Sequence, residues 1–296
     1  MTNRVLLVDG NLLLFKSFYA SFNFKGSNMH NSAGQETNAI HTFFLSLFKV
    51  IKELKPTHIY IAFDKSSQTE RHNLFAEYKQ GRKQVPDSLF SQLNLVKELL
   101  SLANLKWSDD FEFEADDLIA SMNYTFLKQD QNSKIFVFSS DQDLLQLVSN
   151  QTYIVDKNKD NSFLIKTADN FFELHNLLPK QIPDFKALSG DSSDNIKGVP
   201  GIGPKTAKSL ISQFDNIENI LANLDQLPSK MKQKLIENKE NIILFKKLTT
   251  LKTNAKFDFN IADIALKISL NSQLLDLLKH LELNKVIEQF HVIAQL

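Results

Sequence analysis

The sequence predicts an α/β fold, a mainly parallel sheet flanked by helices, followed by a helical second domain. Short β-prone runs alternate with helical periodicity through the first half of the 296 residues. Three of those runs lead into an aspartate, and strand signals fade after Pro179. Strands alternating with helices imply a parallel sheet covered on both faces, whose ligands sit beyond the carboxyl ends of the strands.

The first strand, residues 5–8, runs into Asp9; the second, 59–63, into Asp64; the third, 135–138, reaches Asp141 after Ser139 and Ser140. Helices are expected over about 38–54, 89–102 and 114–128. In the second of these, Leu89, Leu93, Val96, Leu99 and Leu100 recur at helical spacing. Residues 65–86 have many charges and little periodicity, which suggests a loop or partly helical arch. The domain boundary falls near Pro179, giving an α/β unit at 1–178 and a helical unit at 179–296.

Composition excludes several classes of function. The chain has no cysteine, so disulfides, thiolate metal sites and cysteine nucleophiles are absent. The apolar start is interrupted by Asp9 without an export-signal pattern. No run approaches the roughly 18–20 apolar residues of a membrane span, and the expected location is the cytoplasm. Basic and acidic residues balance at 34 each, but they are not mixed. Residues 65–84 and 230–247 are basic, whereas acidic knots lie near 109–117, 141–143 and 191–194. Basic grips around an acidic centre suit a polyanion despite zero net charge.

The candidate centre comprises Asp9, Asp64, Glu114, Asp116, Asp117, Asp141, Asp143, Asp191 and Asp194. Two carboxylates about 4 Å apart repel by about 4 kcal/mol at an effective dielectric near 20, so such a cluster needs cations or protons. All-oxygen sites favour Mg²⁺ or Mn²⁺ over zinc. Two such ions suit in-line displacement at phosphorus, one acidifying the attacking water and the other stabilising the leaving oxygen. Residues 114–117 would also serve as an ordinary acidic helix start, and 114 and 116 face one site only at a frayed helix end. Three strand-end carboxylates on one sheet edge favour a ligand site.

Residues 195–207 form the most specific string. Three of the chain's eight glycines, Gly198, Gly201 and Gly203, fall within six residues. Gly201 and Gly203 are expected to allow positive φ and close backbone approach, and Pro204 to open a helix. That helix would bury Ala207, Leu210, Ile211 and Phe214 and expose Lys205 and Lys208. Its N–H groups can bind a phosphate without reading bases; an ordinary tight turn is the alternative.

Together these strings resemble the bacterial 5′–3′ exonuclease family: the nuclease domain of DNA polymerase I, its stand-alone relatives and the wider flap endonucleases. The matching residues are Leu6-Leu7-Val8-Asp9-Gly10, Ala62-Phe63-Asp64, Arg71-His72, Tyr78-Lys79 with Gly81-Arg82, Glu114-Ala115-Asp116-Asp117, Ser140-Asp141-Gln142-Asp143-Leu144, Gly190-Asp191-Ser192-Ser193-Asp194-Asn195 and the 198–207 string, in the family's order. The resemblance implies a PIN-like α/β fold, a helical arch and a helix-hairpin-helix DNA clamp at about 190–214. It implies one divalent ion near Asp9, Asp64, Glu114 and Asp116, and a second near Asp141, Asp143, Asp191 and Asp194, with Asp116 between them and Asp117 in the same set. Lys79 and Arg82 would meet the scissile phosphate. Tyr19, Arg71, Tyr78, Gly198, Gly201, Gly203, Lys205, Thr206 and Lys208 would contact DNA, with a monovalent cation, often potassium, at the hairpin. Glu70 stands where the family has an aromatic residue, and Lys16 where it has an arginine. The expected protein is a monomeric, stand-alone nuclease, paired functionally with a polymerase, that removes 5′ ends or flaps during primer removal and repair. A DNA binder without catalysis and a PIN-type ribonuclease are the rivals. The unbroken acidic set argues against the first, and the hairpin against the second.

Overall fold

The computed structural model describes residues 2–22, 28–65, 69–81, 85–158, 160 and 162–295. In chain order the elements are β1 (Arg4–Asp9), α1 (Gly10–Ser21), α2 (Asn38–Leu54), β2 (His58–Asp64), α3 (Glu70–Leu74), α4 (Asp87–Leu102), β3 (Trp107–Asp110), α5 (Ala115–Gln129), β4 (Lys134–Phe138), β5 (Thr152–Lys157), β6 (Phe163–Lys166) and α6 (Ala168–His175). Then follow α7 (Ile182–Ser189), α8 (Pro204–Phe214), α9 (Ile217–Ala222), α10 (Ser229–Glu237), α11 (Lys239–Thr249), α12 (Ser272–His280) and α13 (Asn284–Ile293).

The strands form one sheet in the order β3-β2-β1-β4-β5-β6. All neighbours are parallel except β5 and β6. The mainly parallel sheet is therefore as expected. The three strands read from sequence are its adjacent centre, β2-β1-β4, with Val8 paired to both Ile61 and Phe138. Their carboxyl ends lie side by side.

Side chains alternate between faces along each strand. Val5, Leu7, Tyr60, Ala62, Ile135 and Val137 share one core with α5, α7, α8 and α11. Leu6, Val8, Ile59, Ile61, Phe63, Phe136 and Phe138 share the other with α1, α2, α4, α12 and α13. Burial on both faces explains why these strands read as continuous apolar runs.

The sequence reading left out β3, β5 and β6. Trp107-Ser108-Asp109-Asp110 has no apolar alternation and forms an edge strand, half-buried and paired only with β2. The C-terminal stretch forms two helices, α12 and α13, because Glu282 between them takes a left-handed φ of 58° and turns the chain. Both helices lie on the α/β layer, not on α7–α11. Phe290 sits 4.7 Å from Phe48 and 5.4 Å from Phe44, centroid to centroid. Among the described residues, no helix is long and apolar enough to cross a membrane.

Candidate active site

Asp9 ends β1 and caps α1: its Oδ1 accepts from the Leu12 N–H at 2.9 Å and its Oδ2 from Ser139 Oγ at 3.0 Å. Asp64 ends β2 and accepts from the Ala115 N–H at 2.7 Å and from Asn11 Nδ2 at 2.6 Å. Glu114 is the N-cap of α5, with extended backbone (φ −79°, ψ 164°), and Asp116 lies in the first turn. That non-helical cap lets 114 and 116 face one space, which a regular helix would prevent. With Asp141, Lys79 and Ser193 these residues line a cleft of about 340 Å³.

Burial, with repulsion from Asp141 and Asp64, pushes the Asp9 carboxyl up to about 7 against the Leu12 and Ser139 hydrogen bonds. Burial also raises Asp64, and burial with the Asp117 charge raises Asp116 well above the carboxylate range. Burial works the same way on Glu114, but Lys79 and Arg71 outweigh it and hold that carboxyl low.

A second cluster adjoins the first. Carboxylate oxygens of Asp143, Asp191 and Asp194 lie within 4.8 Å of one another. Lys186 Nζ is 2.6 Å from both Asp143 and Asp191. Burial raises Asp143 to about 7 even beside this ammonium. Asp141 joins the clusters, since its Oδ1 accepts from the Asp143 N–H at 2.8 Å. It also lines the neighbouring 470 Å³ cleft with Lys186, Asp191, Ser193, Phe185 and Lys208.

A family model described as the 5′-3′ exonuclease N-terminal resolvase-like domain matches residues 4–174, and one for the 5′-3′ exonuclease C-terminal SAM fold matches 177–272. The chain belongs to the 5′-3′ exonuclease family. As a member it is a nuclease. It is 36% identical over 292 residues to the 5′-3′ exonuclease of Mycoplasmopsis pulmonis, covering 98% of this chain and 94% of that protein. It is 36% identical to the DNA polymerase I of Bacillus subtilis over 98% of this chain but only 32% of that protein, so it spans about a third of that relative. The T5 5′-exonuclease with bound zinc has the same fold, with a TM-score of 0.70 at 21% identity over 99% of this chain and 100% of that one. The flap endonuclease-1 of Methanococcus jannaschii has a TM-score of 0.63 at 16% identity, over 99% and 93% of the two chains.

Within this family member, several expected roles are corrected. Asp117 does not line the acidic cleft. It is fully buried, with Oδ1 accepting from Arg71 Nη2 and the Lys252 N–H at 2.8 Å each, and Oδ2 from Arg71 Nη1 at 2.6 Å. Arg71, expected on DNA, is 4% exposed and also donates to the Leu248 carbonyl at 2.8 Å and to Glu114 at 3.2 Å. Tyr78, also expected on DNA, is buried, and its hydroxyl donates to Glu114 and Asp194 at 3.2 Å each. These three residues brace the site. Lys79 does reach the cleft, donating to Glu114 Oε2 at 2.8 Å, while its N–H donates to the Asp194 carbonyl at 3.0 Å. Arg82 lies outside the described residues. Tyr19 stands 49% exposed on α1.

The glycine string connects α7 to α8. Gly198 has φ 63°, and a Cβ there would stand 2.3 Å from the Gly190 nitrogen, so close backbone approach requires glycine. Gly201 is left-handed at 77°. Gly203 is not: it caps α8 with φ −88° and open space around it. Lys205 is exposed and Thr206 half-buried. Lys208, expected free, is half-buried over the Phe185 ring and donates to the His175 carbonyl at 2.5 Å.

The sequence reading missed Lys186, Asn11 and Ser139. A lysine inside the apolar stretch of α7 (Ile182, Ala187, Leu188) was the available signal for Lys186.

The raised carboxyls set a pH dependence. Asp9 and Asp143 titrate near 7 when folded but near 3.8 when unfolded. Between those values the folded chain binds more protons, so the stability they contribute is present at low pH and lost as pH rises through 7. In chelator, the thermal midpoint is expected to fall from pH 5 to pH 8, and divalent ions should oppose the fall. A rising midpoint in chelator contradicts the buried, unneutralised cluster.

Proposed function

We propose that the chain hydrolyses DNA phosphodiesters at 5′ ends, nicks and flaps, leaving 5′-phosphate and 3′-hydroxyl products, in primer removal and repair. One observation carries the reading: carboxylates from three adjacent strand ends and from the start of α5 converge on one cleft, beside a second trio of aspartates.

The donor set fits divalent ions. Asp9, Asp64, Asp116 and Asp143 hold protons unusually tightly, while Glu114 and Asp191 are held low beside the ammonium groups of Lys79 and Lys186. Asp9, Asp64, Glu114 and Asp116 would hold one ion, and Asp141, Asp143, Asp191 and Asp194 the second; all-oxygen donors favour Mg²⁺ or Mn²⁺. When bound, such a pair supplies an acidified water and charge stabilisation for the leaving oxygen. The protein's own groups do the rest. Ser139, Asn11 and the α5 amide fix the carboxylates, and the Lys79 ammonium, with Arg82, orients the scissile phosphate.

The α7–α8 connection reads as a helix-hairpin-helix clamp that holds duplex away from the cut, with a monovalent cation such as K⁺ at its carbonyls. On this reading residues 1–178 cut and 179–296 grip, although α12 and α13 join the first unit by packing. Lys205, the exposed lysine, takes the larger share of the phosphate contact. Lys205→Ala is expected to flatten the salt dependence of log K by about 0.9 for one lost contact, equally for all duplex sequences. A titration over a salt series in Ca²⁺ measures it, and an unchanged slope makes the connection a structural turn. The chain is further proposed to act as a cytoplasmic monomer alongside a polymerase, in keeping with its DNA polymerase I relatives.

The functional reading is tested with end-labelled flapped, nicked, blunt and single-stranded DNA in Mg²⁺. Preference for flapped or nicked duplex supports it. Equal cleavage of single strands, or of RNA, overturns it.

A further inference from the structure

We propose that Lys186 is a resident counter-cation of the second aspartate cluster, which stays in place when a divalent ion arrives and makes the second site the weaker of the two. The inference rests on the two-ion reading above.

The two lysines paired with these carboxylates differ in how they are held. Lys79 comes from the arch turn, on a residue with left-handed φ of 55°, and its side chain is 19% exposed. It can leave Glu114 for a phosphate. Lys186 is on α7, a helix packed against α11, and its side chain is 8% exposed. Its helix is closed behind it, the Gly190 N–H donating to the Lys186 carbonyl at 2.8 Å. The ammonium has two carboxylates at 2.6 Å, one on each side of the cluster it belongs to. Lysine is rarely buried unless paired, and here the pair is with residues of the second cluster.

A fixed positive charge has two consequences. Without divalent ions it offsets one negative charge of the trio and lets three aspartates stay within 4.8 Å. With a divalent ion nearby it repels that ion, at a separation where Coulomb energies are large. The fixed cation beside the first site, Arg71, is already offset by Asp117, which does not line the cleft, so once Lys79 withdraws the first site keeps more of its negative charge than the second. Ions therefore load in sequence, first beside Asp9 and Asp64, then beside Asp143 and Asp191.

The test is Mn²⁺ binding, followed by calorimetry and by the electron paramagnetic resonance of free Mn²⁺, with thermal melts in EDTA and in Mn²⁺. The native chain is compared with Lys186→Met, Lys186→Gln and Lys186→Arg. Both neutral variants are expected to bind the second Mn²⁺ about tenfold tighter or more, with the first site within about twofold of native. Lys186→Arg should keep the native pattern. The neutral variants should also melt lower in EDTA and recover in Mn²⁺. A second-site affinity that is unchanged or weaker overturns the proposal. So does a neutral variant that stays unfolded in Mn²⁺, since Lys186 would then be a structural strut. If the native chain binds no Mn²⁺, the two-ion reading itself fails, which is a separate result.

Discussion

Lys79→Ala is expected to slow single-turnover cleavage of a flapped duplex by about a hundredfold or more, the scale of losing one transition-state charge stabiliser. The ammonium already lies in the acidic cleft, 2.8 Å from Glu114 Oε2. Burial works against its charge, but Glu114, Asp194 and Asp116 outweigh burial and keep it protonated. A permanently charged donor held over the carboxylates by a short arch segment is placed for a phosphate oxygen. Divalent-ion affinity should not fall, because the ammonium ligates nothing and its removal frees Glu114. Rapid-quench rates at saturating DNA and Mg²⁺ measure the effect. A rate within about threefold of native, far short of the loss of a stabiliser, would make Lys79 a counter-ion of Glu114 alone.

Arg71→Ala is expected to cost about 3–5 kcal/mol of folding stability, because it leaves Asp117 buried and uncompensated. Arg71 ties α3 to the start of α5 through Asp117 and Glu114, and to the last turn and C-cap of α11 through the Leu248 and Thr250 carbonyls. Asp117 also accepts from the Lys252 N–H. Removing the guanidinium therefore loosens three segments at once, including the one carrying Glu114. Urea titrations of native and variant chains read the change directly. The paired variant Arg71→Met with Asp117→Leu should recover much of the loss, since apolar groups can replace a buried ion pair. A single-variant loss below about 1 kcal/mol, the scale of a surface pair, would mean that the pair is effectively solvated.

The sequence exposed the parts of this protein that are governed by short-range pattern. β1, β2 and β4 are legible because burial on both faces makes them unbroken apolar runs. Asp9, Asp64 and Asp141 follow because each lies at or just past such a run, and the parallel arrangement brings them together. The edge strands β3 and β6, and β5 beside β6, were not legible, since strands at the margin of the sheet need fewer apolar residues and take polar ones such as Asp109 and Asp156. Side-chain direction was the harder loss. Spacing alone could not show that Glu114 sits on an extended cap and turns toward Asp116, or that Asp117, next in the chain, turns away to Arg71. Nor did spacing show what Lys186 meets: the apolar stretch of α7 marks it as buried, but its partner Asp143 comes from the segment after β4 and joins Asp191 only in the fold. The terminal helices follow the same rule: Phe290 finds its partners, Phe44 and Phe48, across more than two hundred residues.

The most direct measurement is single-turnover cleavage of a labelled 5′-flapped duplex, first in Mg²⁺, then in excess EDTA, then after Mg²⁺ is restored, with the product ends identified. Cleavage that stops in EDTA, resumes with Mg²⁺ and leaves 5′-phosphate and 3′-hydroxyl ends is the expected result, because among the described residues the cleft is lined by carboxylates and the protonated Lys79, which suit a divalent ion as the activator of water. Full activity in EDTA would contradict the assignment of these carboxylates as a divalent-ion centre.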